Sequence, residues 1–363
     1  MPPAAGATAP PRASAARALV PASAHLPALT SELRRGPIES PFGPSPDLRL
    51  LYRSGSHDRV VQELTEAIGR RQGVIVLTGE PGVGKTMLCR ALVDQLGRRT
   101  LVSFVTAKLS NADALLKTML VDFGVISSTE IAKGQLAHAS RDDLIKALRD
   151  FLASLALLHA VALLVVDDAD RLPAAVWREL RTLSEMAAEQ EPLQVLLVGG
   201  LDLARLLHSD DLRPLDELVA LRVELEPLAG SDIRGYVTHR LAAAGSSARA
   251  GFSAEAIDRV SAFSQGVPRV VNLICDRALT IGRRESAGVI TGEHVDSAAR
   301  ELSLSLAPEG GASSRERLLL AVLMLALMLV GAAGAGWVFR TPLARAIAQW
   351  HDAPAAPQPP ARR

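Results

Sequence analysis

Gly79-Glu80-Pro81-Gly82-Val83-Gly84-Lys85-Thr86 follows the order G-x-x-x-x-G-K-[ST], and the chemistry that needs this order is the binding of phosphates. Glycines let the main chain curl until successive N–H groups face one anion, and a helix starting at once behind them adds its positive end. Lys85 is then placed to reach the β- and γ-phosphates of a nucleoside triphosphate, and the Thr86 hydroxyl to ligate Mg²⁺. Met87 closes the cofactor-binding segment. A chance glycine-rich turn would lack the context seen here, a β-branched run Gly73 to Thr78 before the motif and a helical pattern after it.

The second constellation lies downstream. Asp167 ends the apolar run Ala162-Leu163-Leu164-Val165-Val166. An acid at the carboxyl end of a buried strand, read as lying beside the P-loop strand, can hold the same Mg²⁺, and Asp168 after it can orient an attacking water. The blander reading makes these acids caps of the Asp170 to Pro173 turn, which fits Asp170 better than Asp167.

These residues need a scaffold, and the pattern from about His57 onward alternates short apolar runs with helical periods, as a parallel α/β sheet requires. Further strands are expected over Thr100 to Thr106, Val161 to Val166 and Leu193 to Val198, each apolar enough to be covered on both faces. Helices are expected over Arg141 to His159, with Ser140 and Asp143 making a capping box, and over Ala174 to Glu189. After Leu225 the strand signals stop. Helix starts follow at Ser231, Ser253, Pro268 and Thr291, with a loop over Gly245 to Gly251. The fold class expected is α/β, a P-loop NTPase parallel sheet with a C-terminal helical domain, plus one transmembrane helix. Its boundaries are a disordered Pro/Ala-rich leader 1–43, nucleotide-binding domain 44–226, lid 227–304, linker 305–317, span 318–339 and tail 340–363.

The span is the uncharged run Leu318 to Phe339, about 33 Å long as a helix and close to a bilayer's hydrocarbon thickness. Arginines flank it on both sides, so the positive-inside bias is nearly balanced. Because ATP is cytoplasmic, the residues before Leu318 are placed in the cytoplasm and the protein in the inner membrane as a single-pass chain.

Composition excludes other classes. The 363 residues are 48% apolar and 22% charged, enough for a packed core, while aromatics at 3% give no stacking platform for single strands. A net charge of +1 supplies no global field for a polyanion, and the arginine pairs at 70–71, 98–99 and 283–284 read as solvated faces, so nucleic acid is not expected as a partner. Cys89 and Cys275 are too far apart in sequence for a tight metal spacing and read as buried, reduced thiols.

Taken in order, GEPGVGKT, VVDDAD, LQVLLVGG, LEPLAGSDIRGYVTHRL and FSQGVPRVVNLICDRAL resemble the ExeA-type AAA+ ATPases, the general secretion pathway protein A family, from about Pro41 to Arg300. The resemblance implies a lid arginine, here Arg269 of the Gly-x-Pro-Arg motif, that touches the γ-phosphate. It also implies assembly of identical subunits, a membrane span, and in fuller members a periplasmic cell-wall-binding domain, for which the residues after the span are too few. Three positions depart from the family pattern. Asp168 stands where Glu is usual, shorter by one methylene, and about 1 Å of displacement can slow hydrolysis about 10²-fold. Gly199 and Gly200 offer no polar side chain at the end of their strand. Glu217-Leu218-Val219 replaces an expected arginine, leaving Arg213 or Arg222 as finger candidates.

The function expected is therefore a membrane-anchored ATPase, with slow turnover, that serves an envelope secretion, export or assembly system through a partner protein the sequence does not name. An ATP-binding switch or scaffold with little turnover is the alternative, ahead of a DNA-associated transposition-type regulator and a small-molecule kinase.

Overall fold

Alternation within the strands explains the layering. In the computed structural model, which describes residues 40–44, 47–127, 139–189, 192–245 and 251–304, five strands form one parallel sheet: β1 (Val74–Gly79), β2 (Thr100–Thr106), β3 (Val161–Asp167), β4 (Leu193–Val198) and β5 (Val219–Leu225), in the order β2-β3-β4-β1-β5. Successive side chains leave a strand on opposite faces. Val74, Val76, Leu164, Val166, Val195 and Leu197 accordingly share one core with α3 (Ala112–Asp122), α4 (Arg141–Leu157) and α5 (Ala174–Glu189). Ile75, Leu77, Leu163, Val165, Leu196 and Val198 share the other with α1 (Gly55–Gly69) and α2 (Lys85–Gln95).

The strand order corrects one expectation. β4 lies between β1 and β3, so the strand that ends in Asp167 is one removed from the P-loop strand. The acid still reaches the loop, because both strands end at the same edge of the sheet. Two short helices, α6 (Leu201–Leu207) and α7 (Arg213–Asp216), join β4 to β5.

Helix starts follow the chemistry of their caps. The Ser140 hydroxyl accepts from the Asp143 N–H while the Asp143 carboxylate accepts from the Ser140 N–H at 3.0 Å, the reciprocal box expected of α4. That helix ends at Leu157 rather than His159, because His159 adopts a left-handed conformation with φ 51°.

The lid holds α8 (Gly230–Ala244), α9 (Ala254–Ser264), α10 (Pro268–Arg284) and α11 (Gly292–Glu301) around Ile233, Val237, Val260, Val271 and Ile274. Ser231 does not cap α8; it lies inside the first turn, and the cap position is Ala229. Ser253, Pro268 and Thr291 stand where expected. Strand signals do not stop at Leu225. A parallel pair, β6 (Gly251–Phe252) and β7 (Val289–Ile290), joins the two halves of the lid and is too short to leave an alternating pattern.

The described order begins earlier than the leader boundary at residue 43. Phe42 is 4% exposed within the lid core, and Ser40 Oγ donates to Asp276 at 2.9 Å. Sheet domain and lid belong to one compact unit, Met1–Ser305; the second unit, Leu306–Arg363, and with it the expected linker, span and tail, lies outside the described residues. Among the described residues, no helix is long and apolar enough to cross a membrane. Cys89 and Cys275 are free and buried, and burial pushes both thiols up.

Candidate nucleotide site

β1 ends in Gly79, and the loop to α2 is shaped by two residues in the left-handed region, Gly82 at φ 93° and Gly84 at φ 108°. A side chain at either would be strained, and a Cβ on Gly82 would also lie 2.8 Å from the Cβ of Arg269. The chain can therefore wrap around an anion only with glycine here. Lys85 opens α2 and donates its ammonium to the carbonyls of Gly79 at 2.8 Å and Glu80 at 2.9 Å. Burial holds its pKa below the ordinary range, while the charges of Asp167, Asp170 and Asp168 pull it upward.

Thr86 and Asp167, 81 residues apart, meet across the sheet edge, with Thr86 Oγ1 donating to Asp167 Oδ2 at 2.7 Å. Asp167 is 4% exposed, and burial raises its pKa against the Thr86 and Asp168 hydrogen bonds that lower it. Two hard oxygen donors at the mouth of a phosphate loop fit Mg²⁺, which takes one or two carboxylates and completes its shell with phosphates and water. Asp168 follows in a left-handed conformation, φ 54°, and its N–H donates to Asp167 Oδ1 at 3.1 Å. Its side chain is exposed and lines the cleft.

The lid docks on the loop. Pro268 starts α10, and the Arg269 N–H donates to the Gly82 carbonyl at 3.2 Å. Arg269 lines a cleft of about 580 Å³ together with Gly82, Lys85, Thr86 and Asp168, so the structure brings these expected residues together. Arg171, one turn past Asp168, lines it too, and neither arginine has an ion pair among the described residues. The finger candidates differ: Arg222 donates to Asp216 Oδ1 at 2.7 Å, and Arg213 pairs with Glu217 at 3.4 Å, so each guanidinium has an acid beside it within its own chain.

The bare end of β4 has a steric cause. Asp170 accepts from the Gly200 N–H at 3.0 Å and so caps α6 from outside, and a Cβ at Gly199 would lie 2.6 Å from Asp170 Oδ1 and 2.9 Å from Leu203 Cδ2. The capping role read for Asp170 is real, although the helix it caps is not the one following in sequence.

Sequence reasoning missed the far end of the cleft. There a strap, from Phe42 through the 3₁₀ turn Leu48–Leu50 to Tyr52, faces Leu228, Tyr236 and Asn272 of the lid. Arg240 is 6% exposed and pins the strap by donating to the Pro41 carbonyl at 2.7 Å and the Gly43 carbonyl at 3.4 Å. Tyr52 packs edge-on against Tyr236 with ring centroids 6.0 Å apart. Also missed was His57, buried in the first turn of α1, whose Nδ1 lies 2.7 Å from Ser54 Oγ and whose Nε2 lies 3.6 Å from where a Gly84 Cβ would be. Burial lowers its pKa, while a hydrogen bond to the Val83 backbone opposes the shift. A lone histidine on an amphipathic helix gives no signal that the phosphate loop rests against it.

Residues 68–207 match the AAA domain family model. General secretion pathway protein A of Aeromonas hydrophila is 31% identical over 305 residues, 84% of this chain and 53% of that protein. The chain thus spans about half the length of the curated relative it matches. Among solved structures, Cdc6p from Pyrobaculum aerophilum superposes with TM-score 0.55 at 18% identity, covering 73% of this chain and 71% of that one. The Aeropyrum pernix ORC2 protein in ADPNP–ADP complexes gives 0.53 at 14%, covering 70% and 68%. At those identities the likeness is one of fold.

Proposed function

For a chain that is of the general secretion pathway protein A type and carries an AAA domain, we propose a Mg²⁺-dependent ATPase that is tethered to the inner membrane and serves an envelope secretion or assembly system. The observation that carries the nucleotide reading is the Thr86–Asp167 hydrogen bond beside a lysine held at the mouth of a glycine-built loop. In this reading the amides of the loop and the Lys85 ammonium take the β- and γ-phosphates. Thr86 and Asp167 hold the Mg²⁺, which when bound neutralises charge on the phosphate oxygens. Asp168 orients the water whose oxygen bonds to the γ-phosphorus as the bond to the β–γ bridging oxygen breaks, leaving ADP and phosphate. Arg269 brings a positive charge from the lid, so closure and phosphate recognition are one event. A nucleotide bound in the Aeropyrum relative supports the choice of ligand.

The segment 318–339 supplies the tether, and identical subunits supply the assembly. A second reading, a nucleotide-dependent switch with little turnover, draws support from the bare β4 end and from the arginine candidates that are already paired within the chain. Steady-state phosphate release by the purified full chain separates the two. Turnover that falls to background in Lys85→Ala and drops in Asp168→Asn marks an ATPase. Nucleotide binding with wild-type turnover no higher than that of Lys85→Ala marks a switch.

A further inference from the structure

The cleft's far end contains one polar chain whose donors and acceptors can be assigned without seeing a hydrogen. Arg240 Nη1 donates to the Tyr236 hydroxyl at 2.8 Å, and the Tyr236 hydroxyl donates to Asn272 Oδ1 at 2.8 Å. An arginine can only donate, so the Tyr236 oxygen accepts from it and has its own proton to give. The acceptor placed to take that proton is the amide oxygen of Asn272, at 2.8 Å. That contact orients the amide with its Nδ2 on the other side. Asn272 thus lines the cleft with Oδ1 committed, and its Nδ2 has no partner among the described residues.

The wiring is rigid. Tyr236 is 5% exposed and Arg240 6%, and Arg240 is itself tied to the strap carbonyls of Pro41 and Gly43. Asn272 stands three residues after Arg269 on α10, so one helix contributes a cation and, one turn on, an amide to the same cleft. A group of that kind, in a cleft otherwise walled there by Leu50, Leu51 and Leu228, is suited to a single acceptor on a flat apolar ring.

We infer that Asn272 is the base-reading residue of this site, its Nδ2 donating to a ring acceptor nitrogen of adenine while Tyr236 and Arg240 hold the amide in that orientation. The inference rests on the nucleotide reading above and adds a residue that contacts the base.

Equilibrium titrations of the purified full chain test it, with Mg·ATP, the analogues of ATP in which ring N1, N3 or N7 is replaced by C–H, and Mg·tripolyphosphate as probes. One hydrogen bond of this type corresponds to about a tenfold change, about 1.4 kcal/mol. Asn272→Ala is expected to bind Mg·ATP about tenfold more weakly and tripolyphosphate within about twofold of wild type. One deaza analogue is expected to bind wild type about tenfold more weakly than ATP, and that penalty is expected to vanish in Asn272→Ala. Asn272→Asp, which offers acceptors in place of the amide donor, behaves as the alanine variant or worse. The inference is overturned if Asn272→Ala binds ATP as wild type does, if it loses ATP and tripolyphosphate alike, or if the deaza penalties persist in the variant. Wild type that binds neither ATP nor tripolyphosphate overturns the nucleotide reading itself, a result distinct from all of these.

Discussion

Gly199→Ala adds one methyl group at a strand end that Gly199 and Gly200 leave bare. The new Cβ would stand 2.6 Å from Asp170 Oδ1, 2.9 Å from Leu203 Cδ2 and 3.0 Å from Leu203 Cβ. Leu203 is fully buried in the larger sheet core and cannot swing away, so the carboxylate must move and release the Gly200 N–H. Overpacking of this kind costs about 1–3 kcal/mol, and the lost hydrogen bond about 0.5–1.5 kcal/mol. Thermal unfolding should therefore start lower by roughly 3–18 °C, at about 2–4 °C per kcal/mol for a domain of this size. Asp170→Ala alone loses the cap, about 1 kcal/mol. In the double variant the methyl group meets no carboxylate, so the two costs should fall short of their sum by about 1 kcal/mol or more. Costs that add to within about 0.5 kcal/mol, or a Gly199→Ala protein as stable as wild type, would refute the steric account. The same geometry predicts that Gly199→Asn, the substitution that would supply a polar side chain at the strand end, loses stability and gains no turnover.

Asp167→Asn separates stability from function. Because burial raises the folded pKa of Asp167, its ionised form disfavours the fold at neutral pH, and the penalty is relieved as pH falls through the folded value. The ligand-free variant should melt higher than wild type at neutral pH, with a flatter dependence on acidification, and should lose the Mg²⁺-dependent gain in ATP affinity; a lower neutral-pH melting temperature contradicts this. Asp168→Glu extends the reach towards the water and should raise kcat between about tenfold and a hundredfold with KM little changed; an unchanged kcat refutes the role given to its length. Gly82→Ala strains the loop by about 1–3 kcal/mol and pushes against Arg269, so Mg·ATP affinity should fall more than tenfold while helical circular dichroism is kept; binding as tight as wild type rules out the close fit of lid to loop.

What could be read from the sequence was what local backbone chemistry demands. The phosphate loop announces itself because Gly82 and Gly84 occupy conformations other residues avoid, and Ser140, Ser253 and Pro268 mark helix starts because the first turn's amides need partners. Asp167 was legible as the polar end of an apolar run. The position of β4 between β1 and β3 was not, since strand order is a long-range property of the packed sheet. Nor was the strap: Pro, Ala and Ser before residue 44 read as a leader, and only the Arg240 side chain, 199 residues away from Pro41, reveals what the segment binds. Tyr236 and Asn272, 36 residues apart on different helices, likewise leave no shared pattern. The bare end of β4 is legible in Gly199-Gly200, but its cause, the Asp170 carboxylate already filling the space, is a tertiary contact with no local pattern.

The stitch between Ser40 and Asp276 joins residues 236 positions apart, and that between Arg240 and Pro41 nearly as many. During synthesis the first of these partners leaves the ribosome long before the second exists. A growing chain therefore owns a finished phosphate loop while the far wall of its cleft is still untranslated. Closing so long a loop adds only a logarithmic entropy cost, but it makes the last helices the gate through which competence arrives. An interrupted chain that stops short of Arg269 would carry the phosphate loop without the lid residue that docks on it.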